Sequence, residues 1–137
     1  MVLAAQSLRP KAQAAPASPA ASPGGDTVTV WYFRSSMRCA SCIKIESYAQ
    51  EAVQTHFADE LESGRLVWRV VNVEEPGNEH YVQDYQLVTK SVIVSTVRDG
   101  RQTAWKNLDR VWELIPDKPG FIAYVRQEVA ASLGAGR

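Results

Sequence analysis

The chain contains two cysteines, and they stand three positions apart in Cys39-Ala40-Ser41-Cys42. A ring closed across two intervening residues restrains almost none of the chain, so this pair cannot staple a fold. What remains is the chemistry of two sulfurs held side by side. They can cycle between dithiol and disulfide, moving two electrons, or they can hold a soft ion. A structural zinc site needs four ligands, and beyond the cysteines only His56 and His80 remain as plausible donors. They fall on separate helical stretches with no H-x-x-x-H companion, which argues against zinc. Redox work is favoured if the pair opens a helix. A first helical turn leaves backbone N–H groups unpaired and carries partial positive charge, which stabilises a thiolate. On this reading Cys39 is the attacking sulfur, Arg38 beside it adds positive charge, and Cys42, one turn inward, is the resolving thiol.

The surrounding pattern supplies such a helix. Residues 27–33 are β-branched and aromatic, as a strand requires, and residues 34–41 form a loop. From Cys42 to about Glu62, Ile45, Ala49, Ala52, His56 and Phe57 recur at helical spacing, and Gly64 is placed to stop the helix. Residues 66–73 form a second strand, apolar on both faces as in a buried strand of a parallel sheet. Pro76-Gly77-Asn78 is a turn, residues 79–87 a short helix, and residues 91–97 a third strand. Asp99-Gly100 marks a hairpin into a fourth strand at 101–105. Residues 108–115 carry a helical turn or two, bounded by Pro116 and Pro119, before an amphipathic helix at 121–133 with Ile122, Val125, Val129 and Leu133 on one stripe. The order is β-α-β-α-β-β-α. Helical links between the first three strands predict that these run parallel, and the hairpin adds an antiparallel strand. The fold class is therefore α/β and thioredoxin-like, a central mixed sheet of about four strands flanked by helices.

Composition bounds the partners. Lys and Arg total 15 against 15 Asp and Glu, so no basic footprint for nucleic acid or anionic membrane exists. No apolar run approaches the roughly 18–20 residues of a membrane span, and Met1 to Ala5 is short of the apolar core of a secretory signal. Residues 1–26, with Pro10, Pro16, Pro19 and Pro23 among Ala, Ser and Gly, read as a disordered segment or tether. Residues 27–134 then form the folded domain.

Two resemblances bear on the cysteine pair. Met37-Arg38-Cys39-Ala40-Ser41-Cys42 looks like the M-x-C-x-x-C loop of copper-chaperone domains, where two thiolates hold Cu(I). Those domains follow their first helix with a hairpin, whereas here a turn and a helix follow the second strand. Capture of Cu(I) or trivalent arsenic by Cys39 and Cys42 stays as the alternative function. The stretches Trp31-Tyr32-Phe33, Arg38-Cys39-Ala40-Ser41-Cys42-Ile43-Lys44-Ile45-Glu46, Asn72-Val73-Glu74-Glu75-Pro76, Asp84-Tyr85-Gln86-Leu87 and Trp105-Lys106-Asn107-Leu108-Asp109 resemble the ArsF family. That family is described as a nitrophenyl compound nitroreductase subunit and is thioredoxin-like. The resemblance implies a link to arsenic-resistance genes and an N-terminal membrane or signal segment. It thereby favours the cell envelope or periplasm over the cytoplasm. Reducing a nitro group to an amine takes six electrons, usually through a flavin, and the chain has no G-x-G-x-x-G loop. The expectation is thus a cofactor-free thiol electron carrier. Its partner would be a protein disulfide or an electron-transfer protein such as a flavin-bearing enzyme.

Against thioredoxin itself, the sequence departs in three places. Ala40-Ser41 replaces Gly-Pro between the cysteines, and no carboxylate lies between Thr27 and Cys39 to relay protons. Lys90-Ser91 stands where a cis proline would face the sulfurs. Without proline a cis bond costs about 3–4 kcal/mol, so a trans peptide is expected, with Lys90 close enough to the thiolates to favour them. Trp68 and Trp112 read as core, Trp31 as flanking the site, Trp105-Lys106 as sheet packing or a partner-binding edge, and Glu74-Glu75 as a solvated loop.

Overall fold

Alternation along the first strand sets the layers of the molecule, a computed structural model that describes residues 26–135. β1 (Asp26–Arg34) sends Val28, Val30 and Tyr32 into one apolar cluster and Trp31 and Phe33 into another on the opposite face. β2 (Leu66–Asn72) lies parallel to β1, with Val30 beside Trp68. β3 (Ser91–Arg98) runs antiparallel on the other side, Val30 opposite Val94, and β4 (Arg101–Asn107) runs antiparallel to β3. The sheet order is β2-β1-β3-β4. Asp99 (φ 54°) and Gly100 (φ 79°) both take left-handed dihedrals, the pair a tight hairpin turn requires.

Two long helices close the Val28–Val30–Tyr32 face. α1 (Ala40–His56) contributes Ile45, Ala49, Ala52 and Val53, and α4 (Lys118–Ala135) contributes Phe121, Val125, Val129 and Leu133. Phe57 is buried in the same core and leaves helical dihedrals (φ −133°, ψ 33°), which splits the expected 42–62 helix into α1 and α2 (Ala58–Ser63). Gly64 ends α2 at φ 86°. Pro119 sits in the first turn of α4, where a missing N–H breaks no helical bond. A 3-10 turn, Asp109–Trp112, connects β4 to α4. The other face is covered by α3 (His80–Asp84), through Tyr81 against Trp31 and Phe33.

The expected parallel pairing of the third strand is corrected: β3 is antiparallel to β1. α3 has five residues, about 7.5 Å of helix, while β2 has seven, about 23 Å of strand. So short a helix does not carry the chain back along the sheet, and β3 enters where β2 leaves, Ser91 beside Phe33. β2 is also an edge strand rather than a buried one, with Val70 exposed. The proposed tether, residues 1–26, lies outside the described residues except Asp26, which begins β1. No helix among the described residues is long and apolar enough to cross a membrane.

Candidate active site

Helix α1 starts at Ala40 because Cys39 stops just short of helical geometry. Cys39 is extended (φ −94°, ψ 165°), and its Sγ accepts the Cys42 N–H at 3.1 Å. Its carbonyl accepts the Ile43 N–H at 3.0 Å, the first helical bond. The sulfur thus fills the place that a Ser or Asp oxygen takes in an ordinary N-cap. No acidic residue occupies the first turn, so nothing there opposes negative charge on that sulfur. Cys39 and Cys42 form a disulfide. Cys42 is 3% exposed and Cys39 is partly exposed, so one sulfur meets solvent and the other faces the core.

The loop before Cys39 is tied to the end of β2. The Val73 N–H donates to the Arg34 carbonyl (2.8 Å), the Ser36 N–H to Glu74 Oε1 (3.1 Å), and Asn72 Nδ2 to Ser36 Oγ (3.0 Å). Glu74 is exposed, yet it buttresses the cysteine loop and is more than a solvated side chain. Beneath the disulfide, the Tyr32 hydroxyl donates to the Cys42 carbonyl at 3.0 Å. Burial, then the Glu46 carboxylate, push the Tyr32 phenol up to about 12, with Arg38 and Arg34 pulling the other way. Arg38 and Glu46 pair at 3.0 Å, a bridge that spans the whole Cys39–Cys42 segment. Arg38 is therefore an ion-paired charge rather than a free one beside Cys39. Glu46 Oε1 is buried and lacks an aligned hydrogen bond, the contact with Arg38 being ionic in distance but poorly directed.

Ser91 starts β3 beside Phe33, buried, its hydroxyl donating to the Thr89 carbonyl at 2.8 Å. The Lys90 carbonyl accepts Trp112 Nε1 at 3.0 Å, and the peptide between Lys90 and Ser91 is trans. This fixes residues 90–91 at the end of the sheet where β1 leads into the cysteine loop. The histidines are not gathered at the sulfurs. His56 ends α1, and His80 opens α3, bonded to Asp84 at 2.7 Å. No group of three or more His, Cys, Asp or Glu suited to a metal occurs among the described residues. Trp31 points to the opposite face, stacked on Phe33 at 5.3 Å with the Arg69 guanidinium 5.1 Å from its ring centroid. Trp105 packs edge-on to Tyr85, and Trp68 and Trp112 pack against the main core.

Tyr32, Glu46, Ser36 and Asn72 also belong to the site, although none lies within the C-x-x-C signature. Two of them carried a signal. Alternation in β1 puts Tyr32, and not Trp31, on the α1 face, and Glu46 is four residues after Cys42, one turn along the same helix face. The Ser36 and Asn72 contacts join segments 36 residues apart and have no local signature.

A sheet ordered β2-β1-β3-β4 with β3 antiparallel to both neighbours, and a C-x-x-C disulfide opening the helix after β1, defines a thioredoxin-like fold. Among solved structures the chain is similar to a thioredoxin from Fasciola hepatica, at 12% identity and TM-score 0.45, over 83% of this chain and 85% of that one. It is similar to a thioredoxin from Trypanosoma brucei brucei at 15% identity and TM-score 0.44, over 79% and 80%. Thioredoxin O2 from Arabidopsis thaliana in the oxidised state aligns at 16% identity and TM-score 0.39, over 59% and 63%. At such values the fold assignment stands on strand order and direction. No protein-family model and no curated protein matches the chain.

Proposed function

We propose that the protein is a thiol–disulfide oxidoreductase-like electron carrier in which Cys39 attacks and Cys42 resolves. The observation that carries the reading is the Cys42 N–H on Cys39 Sγ at 3.1 Å, with Cys42 buried behind it. In the reduced protein the same N–H and the helix dipole favour a Cys39 thiolate. That thiolate attacks one sulfur of a partner disulfide and expels the other as a thiolate. Cys42 then attacks Cys39 Sγ, and the second partner sulfur leaves. Two electrons and two protons pass from the dithiol to the partner. The finer proposal, supported by the ArsF resemblance, is that the chain serves as a subunit of a nitroreductase system linked to arsenic resistance. A dithiol supplies two electrons per cycle, so three cycles with a flavin-bearing partner would match a nitro group's six. Residues 27–134 are the working unit in this proposal, with 1–26 as its tether.

Serine variants test it. Cys39→Ser is expected to abolish disulfide reduction, while Cys42→Ser accumulates a mixed disulfide with the partner. Equal loss in both variants, no mixed disulfide, and tight stoichiometric Cu(I) or trivalent arsenic in the reduced wild type would instead identify a metal-binding protein.

A further inference from the structure

Resolution by Cys42 poses a chemical problem that the surroundings of the sulfur answer. A thiol ordinarily titrates near about 8.5, and burial disfavours the thiolate further. Cys42 is 3% exposed, so bulk water is a poor acceptor for its proton. The groups around it narrow the choice. Around Tyr32, which bonds the Cys42 carbonyl, lie Arg34 from β1, Arg38 from the loop and Glu46 from α1. The Tyr32 phenol, at about 12, stays protonated and already donates to the Cys42 carbonyl. The cations have no lone pair to offer. On the side of α4, Lys118 is paired with Glu51, well down the helix from the sulfurs. Of the two carboxylates tied to the cysteine loop, Glu74 is exposed and already accepts the Ser36 N–H, which leaves Glu46.

We infer that Glu46 accepts the Cys42 proton during disulfide closure, held in place by Arg38. This deepens the thiol-exchange reading and rests on it. Residues i and i+4 of a helix are neighbours, about 5–6 Å between Cβ atoms, which puts the Glu46 carboxylate within reach of Cys42 directly or through one water. Its Oε1 is buried and has no aligned hydrogen-bond donor, so a lone pair is available. Arg38, 3.0 Å away, keeps the carboxylate turned toward the cysteine loop. In the closing step the Cys42 S–H bond breaks, the proton moves to Glu46, and the new S–S bond forms to Cys39. The partner sulfur leaves as a thiolate and takes up a proton, which Glu46 returns through solvent. In the opposite direction protonated Glu46 protonates Cys42 as its bond to Cys39 breaks.

The experiment uses the reduced full chain and the chromogenic disulfide 5,5′-dithiobis(2-nitrobenzoate). Attack by Cys39 releases one coloured thiolate in a bimolecular phase, and closure by Cys42 releases a second in a unimolecular phase. At about pH 6.5, Glu46→Gln is expected to slow the second phase tenfold or more while changing the first by less than about threefold. The deficit shrinks as pH rises, because hydroxide can then take the Cys42 proton in place of Glu46. Glu46→Asp, which keeps a carboxylate, recovers most of the second-phase rate. Equal second phases for wild type and Glu46→Gln at the lower pH overturn the inference. So do a deficit of the same factor at every pH and a Glu46→Asp variant as slow as Glu46→Gln. Release of a single coloured thiolate by the wild type would defeat the exchange reading itself, a result distinct from these.

Discussion

The two faces of the sheet are built from different materials. One has a mainly aliphatic buried core, with rings such as Phe121 and Tyr48 set into it, and is sealed by the 17-residue α1 and the 18-residue α4, with Val30, Ile45, Val125 and Val129 fully buried. The other is aromatic, with Trp31, Phe33, Tyr81, Tyr85 and Trp105 in mutual contact under the five-residue α3. Polar bonds are woven into the aromatic side, where Gln102 Oε1 accepts from both Tyr85 and Ser95 at 2.6 Å. The disulfide is mounted on the aliphatic side, through α1. The attack proposed for Cys39 rests on one N–H contact and so needs a helix that does not shift, which close packing under the long helices provides. The aromatic side tolerates a small cover because its rings bury wide areas with few residues.

Substitutions on each face break the comparison most directly. Phe121 is fully buried against Tyr48, edge-on with centroids 5.3 Å apart. Phe121→Ala is expected to lose about 3–5 kcal/mol of unfolding free energy in urea titrations, and disulfide exchange should fall with it as α1 loosens. Tyr81 is only partly buried, and Tyr81→Ala should lose about 1–2 kcal/mol and leave exchange rates unchanged. A larger loss from Tyr81 than from Phe121 would reverse the assignment of the stiff face.

A smaller effect sharpens the contact between site and core. Tyr32→Phe removes the bond to the Cys42 carbonyl and should lower stability by about 1 kcal/mol at neutral pH. Its phenol titrates near 10.0 when unfolded and about 12 when folded. The unfolded chain therefore releases this proton first, and stability, fully present below pH 10, declines as pH rises toward about 12. Tyr85 and Tyr124 are raised too, chiefly by burial, so the variant should blunt the alkaline loss without removing it. An unchanged alkaline slope in Tyr32→Phe would separate the phenol from the core.

Legibility in the sequence followed the range of the interactions. The β-branched run at the first strand, Gly64 as a left-handed stop, the Asp99-Gly100 turn and the cysteines at a helix start are local signals, and all appear where expected. The direction of β3 was misread because residues 79–87 look like a crossover helix until their helical length, five residues, is known. The Phe57 break was hidden inside a continuous helical pattern, since only the core decides where that ring points. At the site, the dithiol was plain, but the Arg38–Glu46 bridge depends on how the loop folds back over α1, and the Ser36 ties depend on β2 lying beside it. Charge beside a cysteine reads as free charge in a sequence; in the fold it is already shared.

The central claim is that helix-start geometry makes the two sulfurs unequal before any partner arrives. Competitive alkylation of the reduced protein with iodoacetamide near neutral pH, read by peptide mass spectrometry, tests it directly. Cys39, partly exposed and capped by the Cys42 N–H, should react at least about tenfold faster than buried Cys42. Equal rates, or faster modification of Cys42, would contradict the account.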